Sequence, residues 1–487
     1  VPLPPLIEIV PLTSPVRAEI TVPGSKSITN RALILAALAD GRTTLRGALW
    51  SEDTQVMTDC LRALGFTVDV QPDPAESCNR TITVDGLGGR LPRAGTAAHP
   101  LELFVGNAGT AARFLAAMVC LGDGVYRLSG VPRMHERPQA ALFAALRELG
   151  YRVDSPNDKL PAVIYGEDIR QKAKGKSACS VSVVDSSQFA SALLLAGGVG
   201  GWQVEITGAN EDELPYVDMT RELVKVFPAN GGEFQIEPDA SSGSYFWASG
   251  RTDVQDIKWT GSLSDWAAPW MKFESDWTVK VASWPSSGWQ VDAKFPALWK
   301  PIAECSFRCG TPQYDFFAKN FVKYLHLMKK VLPDGRDGLD LPSLSRERDL
   351  GDSIMTAITL GPLAVRPLCF EHLTRLRVQE CERVEALKTE LERCGGRVDE
   401  LGQTLKTYPS DLHGAEIETY DDHRMAMCFA VLGLKLPGIK IKNPACVKKT
   451  FPNFFQKLAT PPPHGLGTEI RDAATGRKLA LEELFAD

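Results

Sequence analysis

Six times along the chain, a short cluster of small polar or charged residues runs directly into an apolar, often alanine-rich stretch. Ser25-Lys26-Ser27 precedes ALILAAL at 32–38, and Asn107-Ala108-Gly109-Thr110 precedes residues 111–120. Asp185-Ser186-Ser187-Gln188 leads into 189–196, and Asp239-Ala240-Ser241-Ser242 into 245–248. Gly351-Asp352-Ser353 leads into 354–363, and Asp421-Asp422-His423-Arg424 into 425–432. Each reads as an N-cap followed by a helix apolar nearly all round, which is the pattern of a buried helix. Between them lie β-like runs such as TITV at 81–84, VSVV at 181–184 and VEIT at 204–207. More amphipathic helices are expected over 140–149 and 382–394. The rhythm predicts six α/β units, three in each half.

A helix N-terminus carries unpaired N–H groups and about half a positive charge. Several buried helices converging start-first therefore make a cleft that attracts anions. Lys26, Arg113 and Arg424 stand in or beside these caps. The chain of 487 residues has a formal charge of -6 with its Lys and Arg dispersed. Anions must then be held in a local pocket against the global charge, and a basic nucleic-acid face is excluded. No apolar run approaches the roughly 20 residues that span a bilayer. Residues 1–15 lack a basic n-region and are broken by prolines, so no secretory signal is expected there. The eleven cysteines are scattered, which fits reduced thiols and a cytoplasmic location. Cys305 and Cys309 have no second pair at zinc-ligand spacing, so no metal site is expected.

Two regions break the rhythm. Residues 251–346 hold seven of the ten tryptophans. They read as an expanded unit whose aromatics pack a local core. The segment 460–487, beginning with Thr460 and three prolines, reads as a linker followed by a short acidic helix.

Eight ordered stretches resemble the 5-enolpyruvylshikimate-3-phosphate synthase family of enolpyruvyl transferases. They are PGSKSITNRALILAAL (23–38), LFVGNAGTAARFLAA (103–117), GVPRMHERP (130–138), DSSQFASALLLA (185–196), PYVDMT (215–220), DASSGSYFWA (239–248), YDDHRMAMCF (420–429) and CVKKTFPNFF (446–455). The resemblance is weak across 251–346 and absent in the tail. It implies an α/β (α+β) fold of two domains, each with three βαβαββ units around buried parallel helices. Residues 1–22 with 238–459 would form one domain and 23–237 the other, with the active site in the interdomain cleft. The implied reaction moves the enolpyruvyl group of phosphoenolpyruvate to the 5-hydroxyl of shikimate 3-phosphate and releases phosphate, without metal or organic cofactor. A monomer without membrane or nucleic-acid partners is expected.

The resemblance also assigns roles. Phosphoenolpyruvate carries a phosphate and a carboxylate, and Lys26, Arg133, Arg383, Arg424 and Lys449 would hold it, with Asn107, Gly109 and Gln188. Arginine suits both groups through bidentate bonding. Gly109 would let the phosphate approach closely because it has no Cβ. Arg113 would support that loop. Shikimate 3-phosphate would meet Ser27, Arg31, Ser186, Ser187, Gln188, Tyr216, Asp352, Arg375 and Gln379. Lys26, Asp352 and Glu380 would serve the proton transfers, while His423 reads as structural. The space at Gly109 and Thr110 predicts sensitivity to the phosphonate glyphosate, which Phe114 would weaken by reshaping that wall.

Three positions depart from the family pattern on the acceptor side. Glu213 stands where a serine is usual, Gln379 where a lysine is usual, and Arg375 where an asparagine is usual. They motivate two further readings, a rearranged acceptor site and a non-catalytic relative. The UDP-N-acetylglucosamine enolpyruvyl transferases begin their first motif with Lys-Asn and carry a cysteine-bearing loop; this chain has Lys26-Ser27 and RMHERP instead.

Overall fold

The computed structural model describes residues 2–167, 178–208, 214–250, 278–299, 343–364 and 367–486. Glu213, the Cys305/Cys309 pair and Trp259, Trp266, Trp270 and Trp277 lie outside the described residues. The six apolar runs form helices α1 (Lys26–Leu38), α2 (Gly109–Met118), α3 (Ser187–Gly200), α4 (Ala240–Ser249), α5 (Ile354–Leu360) and α6 (His423–Gly433). Their apolar faces run nearly all round, so water is excluded from every side. In α5 all seven residues are buried. The amphipathic segments fold as helices Ala140–Glu148 and Arg383–Arg393, each with one exposed face.

Two hydrophobic cores organise these elements. The first gathers residues from Ile28 to Ile236. The second joins Leu3, Ile7 and Val22 to residues from Tyr245 onward. In the first core, Asp40–Leu49 runs antiparallel to Asn79–Leu87 and parallel to Gly232–Gln235. That register aligns Phe234, Leu45 and Ile82 on one inward face, as alternation along strands requires. A second four-stranded sheet is ordered Leu101–Phe104, Gly124–Ser129, Ala162–Gly166 and Arg152–Asp154. A parallel pair, Ala178–Ser182 with Gln203–Thr207, completes the set. The strand expected at 181–184 therefore ends at Ser182. In the second core, Leu6–Ile9 lies between Ile439–Lys442 and Ile470–Asp472.

That last pairing corrects the expectation of a linker in the tail, while the short acidic helix expected after it forms as the 3-10 segment Leu481–Leu484. Residues 460–486 are no linker. Strand Ile470–Asp472 is hydrogen-bonded to Leu6–Ile9, and Leu466, Ile470, Leu479 and Leu484 are buried in the second core. The prolines turn the chain back, and the apolar residues beyond them are sparse enough to look like a surface tail until the edge of Leu6–Ile9 receives them. In the tryptophan-rich region, Trp284 meets Trp247 edge-on at 5.7 Å and Trp299 stacks on Phe295 at 5.9 Å. These two pack a local core as expected.

The chain passes between the cores at 23–25 and again at 237–239, and the passages bond each other. Ser25 N–H donates to the Glu237 carbonyl and Asp239 N–H to the Pro23 carbonyl, both at 2.8 Å. A Cβ on Gly24 would lie 2.0 Å from the Gly47 carbonyl oxygen, so only glycine fits the crossing. Each passage leads at once into a helix, so the starts of α1 and α4 lie side by side. A polar knot fastens the same region. Buried Glu76 accepts from Thr21 Oγ1 at 2.7 Å, Lys457 Nζ at 2.7 Å and Asn453 Nδ2 at 2.6 Å. The Cys78 thiol donates to Asn453 Oδ1, and Asn79 Oδ1 accepts from Gly24 N–H. Both oxygens of this buried carboxylate are thus bonded from the other side of the crossing, and Cys78 N–H adds a bond from its own side, the condition under which a buried ion pair is tolerated. Among the described residues no helix is long and apolar enough to cross a membrane, and nine cysteines are free thiols.

Candidate active site

All six helix starts reach one cavity of about 170 Å³ between the cores. Three are capped by their own side chains: Ser186 Oγ accepts from Gln188 N–H, Asp239 Oδ1 from Ser242 N–H, and Asp422 Oδ1 from Arg424 N–H. The starts at Ser25 and Ala108 have no side-chain cap. Eight Lys and Arg side chains line the cavity against five Asp and Glu. A protein of net negative charge thus concentrates cations where the helix ends already favour anions.

The first-core wall carries Lys26, Ser27, Arg31, Asn107, Gly109 and Arg137. Lys26 Nζ pairs with Asp53 at 3.1 Å. Arg31 is buried and bonded to protein: Nε to Thr220 Oγ1 at 2.7 Å, Nη2 to Ser191 Oγ at 3.0 Å and Nη1 to the Ser27 carbonyl at 2.9 Å. Its guanidinium lies 5.3 Å from the centre of the Phe114 ring. Phe114 therefore does not form the cavity wall, which corrects the expectation; it carries Arg31. Arg113 lies behind the cavity, where Nη1 donates to Gln188 Oε1 at 2.7 Å and steers that side chain. Gln188 in turn donates to Thr110 Oγ1. Ser187, Gln188 and Tyr216 line the cavity, whereas Ser186 is buried as the α3 cap. Burial, then Asp352, pushes the Tyr216 phenol up, so it stays protonated.

Arg133 is not part of this wall. The short helix Pro132–Glu136 turns it outward, where it is exposed and pairs with Glu136. Arg137, in extended backbone just past that helix, turns inward and donates to the Asn107 carbonyl at 3.2 Å. Sequence reading took the first arginine of GVPRMHERP where the structure uses the second. A Cβ on Gly109 would lie 2.7 Å from the Arg137 guanidinium. What the missing Cβ makes room for is thus this arginine. Burial lowers the Arg137 pKa, against Glu380 and Asp53, which raise it.

The second-core wall is a lattice of charge. Arg383 is fully buried and bonds Asp422 at 2.7 Å, Glu380 at 2.8 Å and, more distantly, Asp352 at 3.9 Å. Asp352 also meets Arg346 at 2.9 Å and Arg424 at 3.2 Å. Glu380 also meets Lys449 at 3.0 Å. Burial alone would raise the Asp352 carboxyl, but Arg424, Arg346 and Arg383 outweigh it and hold it far below the usual carboxylate range. Burial likewise opposes the ionisation of Glu380, but Arg383 and Lys449 outweigh it and hold the carboxyl well below the usual carboxylate range. Asp352 sits in the turn Gly351–Ser353 ahead of α5 and is not its cap. His423 is buried against the cavity with neither ring nitrogen hydrogen-bonded, and burial keeps it neutral. Arg375 and Gln379 both line the cavity, the latter with Oε1 unpaired.

Besides Arg137, further contributors went unseen in the sequence. Asp53, Trp289, Asp292 and Arg346 line the cavity. The last three come from the tryptophan-rich region, where resemblance is weak. Asp292 Oδ1 accepts from Ser353 N–H at 2.7 Å; burial and then Asp352 push its carboxyl up to about 7. Among the described residues no cluster of three or more His, Cys, Asp or Glu is placed to hold a metal.

Comparison with known proteins points one way. The family model for EPSP synthase (3-phosphoshikimate 1-carboxyvinyltransferase) matches residues 10–263 and 346–458. A 3-phosphoshikimate 1-carboxyvinyltransferase of Trichormus variabilis is 35% identical over 93% of this chain and 98% of its own. One of Rhizobium etli is 33% identical over 96% and 98%. Among solved structures, EPSP synthase from Acinetobacter baumannii superposes with a TM-score of 0.66 at 19% identity, covering 96% of this chain and 99% of that one. The enolpyruvyl transferase NikO from Streptomyces tendae reaches 0.60 at 15% identity, covering 98% and 100%.

Proposed function

The chain belongs to the EPSP synthase family, and we propose that its cavity performs that family's reaction in full. The enolpyruvyl group of phosphoenolpyruvate passes to the 5-hydroxyl of shikimate 3-phosphate, and phosphate is released. The observation that carries this reading is the single cavity where cation surplus and two ionised carboxylates, Asp352 and Glu380, face six converging helix starts.

Phosphoenolpyruvate is assigned to Lys26, Arg137, Arg383, Arg424 and Lys449, with Asn107 and Gly109 beneath it. Shikimate 3-phosphate is assigned to Ser27, Ser187, Gln188, Tyr216 and Asp352, with Arg31 supporting Ser27 from below. Addition joins the 5-hydroxyl oxygen to C2 of phosphoenolpyruvate, takes the proton from that hydroxyl and puts a proton on C3. Elimination then breaks the C2–O bond to phosphate and removes a proton from C3, which re-forms the enolpyruvyl double bond. Asp352 orients the hydroxyl and stabilises its developing proton. Glu380 serves C3. In the free protein Glu380 is held ionised by Arg383 and Lys449. An anionic substrate arriving among Lys26, Arg383 and Lys449 draws on the same cations. It relaxes their hold and raises the Glu380 pKa toward that of a proton donor. The cations then stabilise the departing phosphate electrostatically.

The direct test is phosphate release from phosphoenolpyruvate, followed with and without shikimate 3-phosphate. Release that depends on the acceptor is expected. Binding of both ligands without release at high protein concentration would favour a non-catalytic relative. We further propose that glyphosate competes with phosphoenolpyruvate. Gly109→Ala displaces the Arg137 guanidinium, so the KM for phosphoenolpyruvate should rise about tenfold, the loss of one charge-assisted hydrogen bond. The glyphosate inhibition constant should rise at least as far. Unchanged values for both would remove Arg137 from this subsite. The free thiols and the family's biosynthetic role support a cytoplasmic location.

A further inference from the structure

Asp292 lines the cavity with its side chain buried, and no step of the proposed reaction uses it. It sits in the 3-10 segment Val291–Lys294, inside the tryptophan-rich region. That segment is fastened on several sides. Gln290 Oε1 accepts from Ala240 N–H at 3.0 Å, at the start of α4, and Gln290 Nε2 donates to the Pro238 carbonyl at 2.9 Å. Trp284 Nε1 donates to the Ala293 carbonyl at 3.0 Å, and Lys294 Nζ to the Arg348 carbonyl at 2.6 Å. From this frame Asp292 reaches the turn Gly351–Ser353. Its Oδ1 accepts from Ser353 N–H at 2.7 Å. Its Oδ2 lies against Gly351, so close that a Cβ there would clash with it. Gly351 has a φ of +54°, a conformation that favours glycine in any case. Ser353 Oγ closes the turn on the Leu350 carbonyl. Asp352 stands between the two gripped residues.

The two carboxylates share one cavity and have opposite surroundings. Arg346, Arg424 and Arg383 hold Asp352, whereas Ser353 N–H is the one hydrogen-bond partner of Asp292 among the described residues. The charged and titratable groups facing Asp292 are Asp352 in the turn, Arg424 on α6, Asp239 at the start of α4 and the Tyr216 phenol. Arg346, on the neighbouring segment Arg346–Leu350, is bonded to Asp352 instead. Paired groups whose surroundings push them apart divide acid–base work between them. A like charge beside a carboxylate disfavours its ionised form. Ionised Asp292 therefore makes Asp352 a better proton acceptor than its arginines alone would allow.

We propose that Asp292 is a positioning residue for proton removal from the acceptor: it grips the Gly351–Ser353 turn so that Asp352 is aimed at the hydroxyl, and its charge strengthens Asp352 as a base. This rests on the assignment of Asp352 to the acceptor hydroxyl. Steady-state kinetics of wild type, Asp292→Ala and Asp292→Asn between about pH 5.5 and 9 tests it. Asp292→Ala loses grip and charge together, so kcat should fall about 100-fold, the worth of a small misplacement. Both KM values should stay within about threefold of wild type, because only the chemical step is touched. Asp292→Asn keeps an oxygen for Ser353 N–H and should regain about tenfold of that loss. Wild-type kcat/KM should rise as pH passes through about 7, where Asp292 ionises, and Asp292→Asn should lack that rise. Substrate ionisation is common to all three proteins, so the difference belongs to Asp292. A kcat near the wild-type value in Asp292→Ala, or Asp292→Asn as slow as Asp292→Ala, would overturn the grip. A rise retained in Asp292→Asn would overturn the coupling of charge. Equal losses in kcat and both KM values with a lowered urea midpoint, the mark of general misfolding, would overturn both. Amide exchange over residues 350–354 reads the grip without the reaction: it should quicken in Asp292→Ala and not in Asp292→Asn. That exchange pattern in a protein whose wild type releases no phosphate would sink the catalytic reading and spare the grip.

Discussion

Asp352→Asn should lower kcat by about 10²–10⁴-fold, the usual worth of a positioned acid–base group. The side chain keeps its shape and loses its charge. In the wild type that charge is held by Arg346 at 2.9 Å, Arg424 at 3.2 Å and Arg383 at 3.9 Å. An amide accepts from these guanidiniums weakly and cannot stabilise the proton leaving the acceptor hydroxyl. The three arginines meanwhile face the cavity with one counter-charge fewer, so phosphoenolpyruvate should bind no less tightly. The expected signature is a collapsed kcat with an undiminished affinity for phosphoenolpyruvate, read by steady-state kinetics and calorimetry. A kcat within threefold of wild type would remove Asp352 from the chemistry.

The second large effect concerns stability. Arg383→Leu should destabilise the protein by about 3–5 kcal/mol, because removing one partner of a buried ion pair leaves the others uncompensated. Here the orphans are Asp422 and Glu380, at 2.7 and 2.8 Å from the lost guanidinium. The pH dependence has a definite sign. Glu380 and Asp352 are held below their ordinary values in the folded protein. Their contribution to stability is therefore complete above the unfolded carboxylate pKa and is lost as pH falls through the folded one. Without Arg383 both folded values rise, and that contribution shrinks. The deficit relative to wild type should be full from pH 7 down to about pH 4 and narrow below it, as measured by urea unfolding. A deficit independent of pH would mean that packing, not charge, accounts for it.

The two arginines of GVPRMHERP show where sequence reading stops. Both are cations in a matching motif, and nothing in the local string ranks them. The five-residue helix Pro132–Glu136 decides, turning Arg133 out to Glu136 and leaving Arg137 in extended backbone that points inward. Gly109 follows the same logic. Its small size is visible in the sequence, but the guanidinium 2.7 Å from its absent Cβ is not. Trp289, Asp292 and Arg346 were missed because they lie where the motifs thin out, and a wall residue there looks like any other polar or aromatic position.

The family resemblance named most of the pocket's cations; six buried helices with polar starts and a pocket for anions follow from the sequence pattern alone. They do so because burial periodicity, capping and charge are local properties that a linear string records. Which arginine turns inward, that the tail closes a sheet, and that Arg375 spans the cleft to Asp185 were decided only by the tertiary structure. Those outcomes depend on a backbone turn of a few residues or on partners as distant in sequence as Ile7 and Asp472, and no local pattern encodes the other end of such a contact.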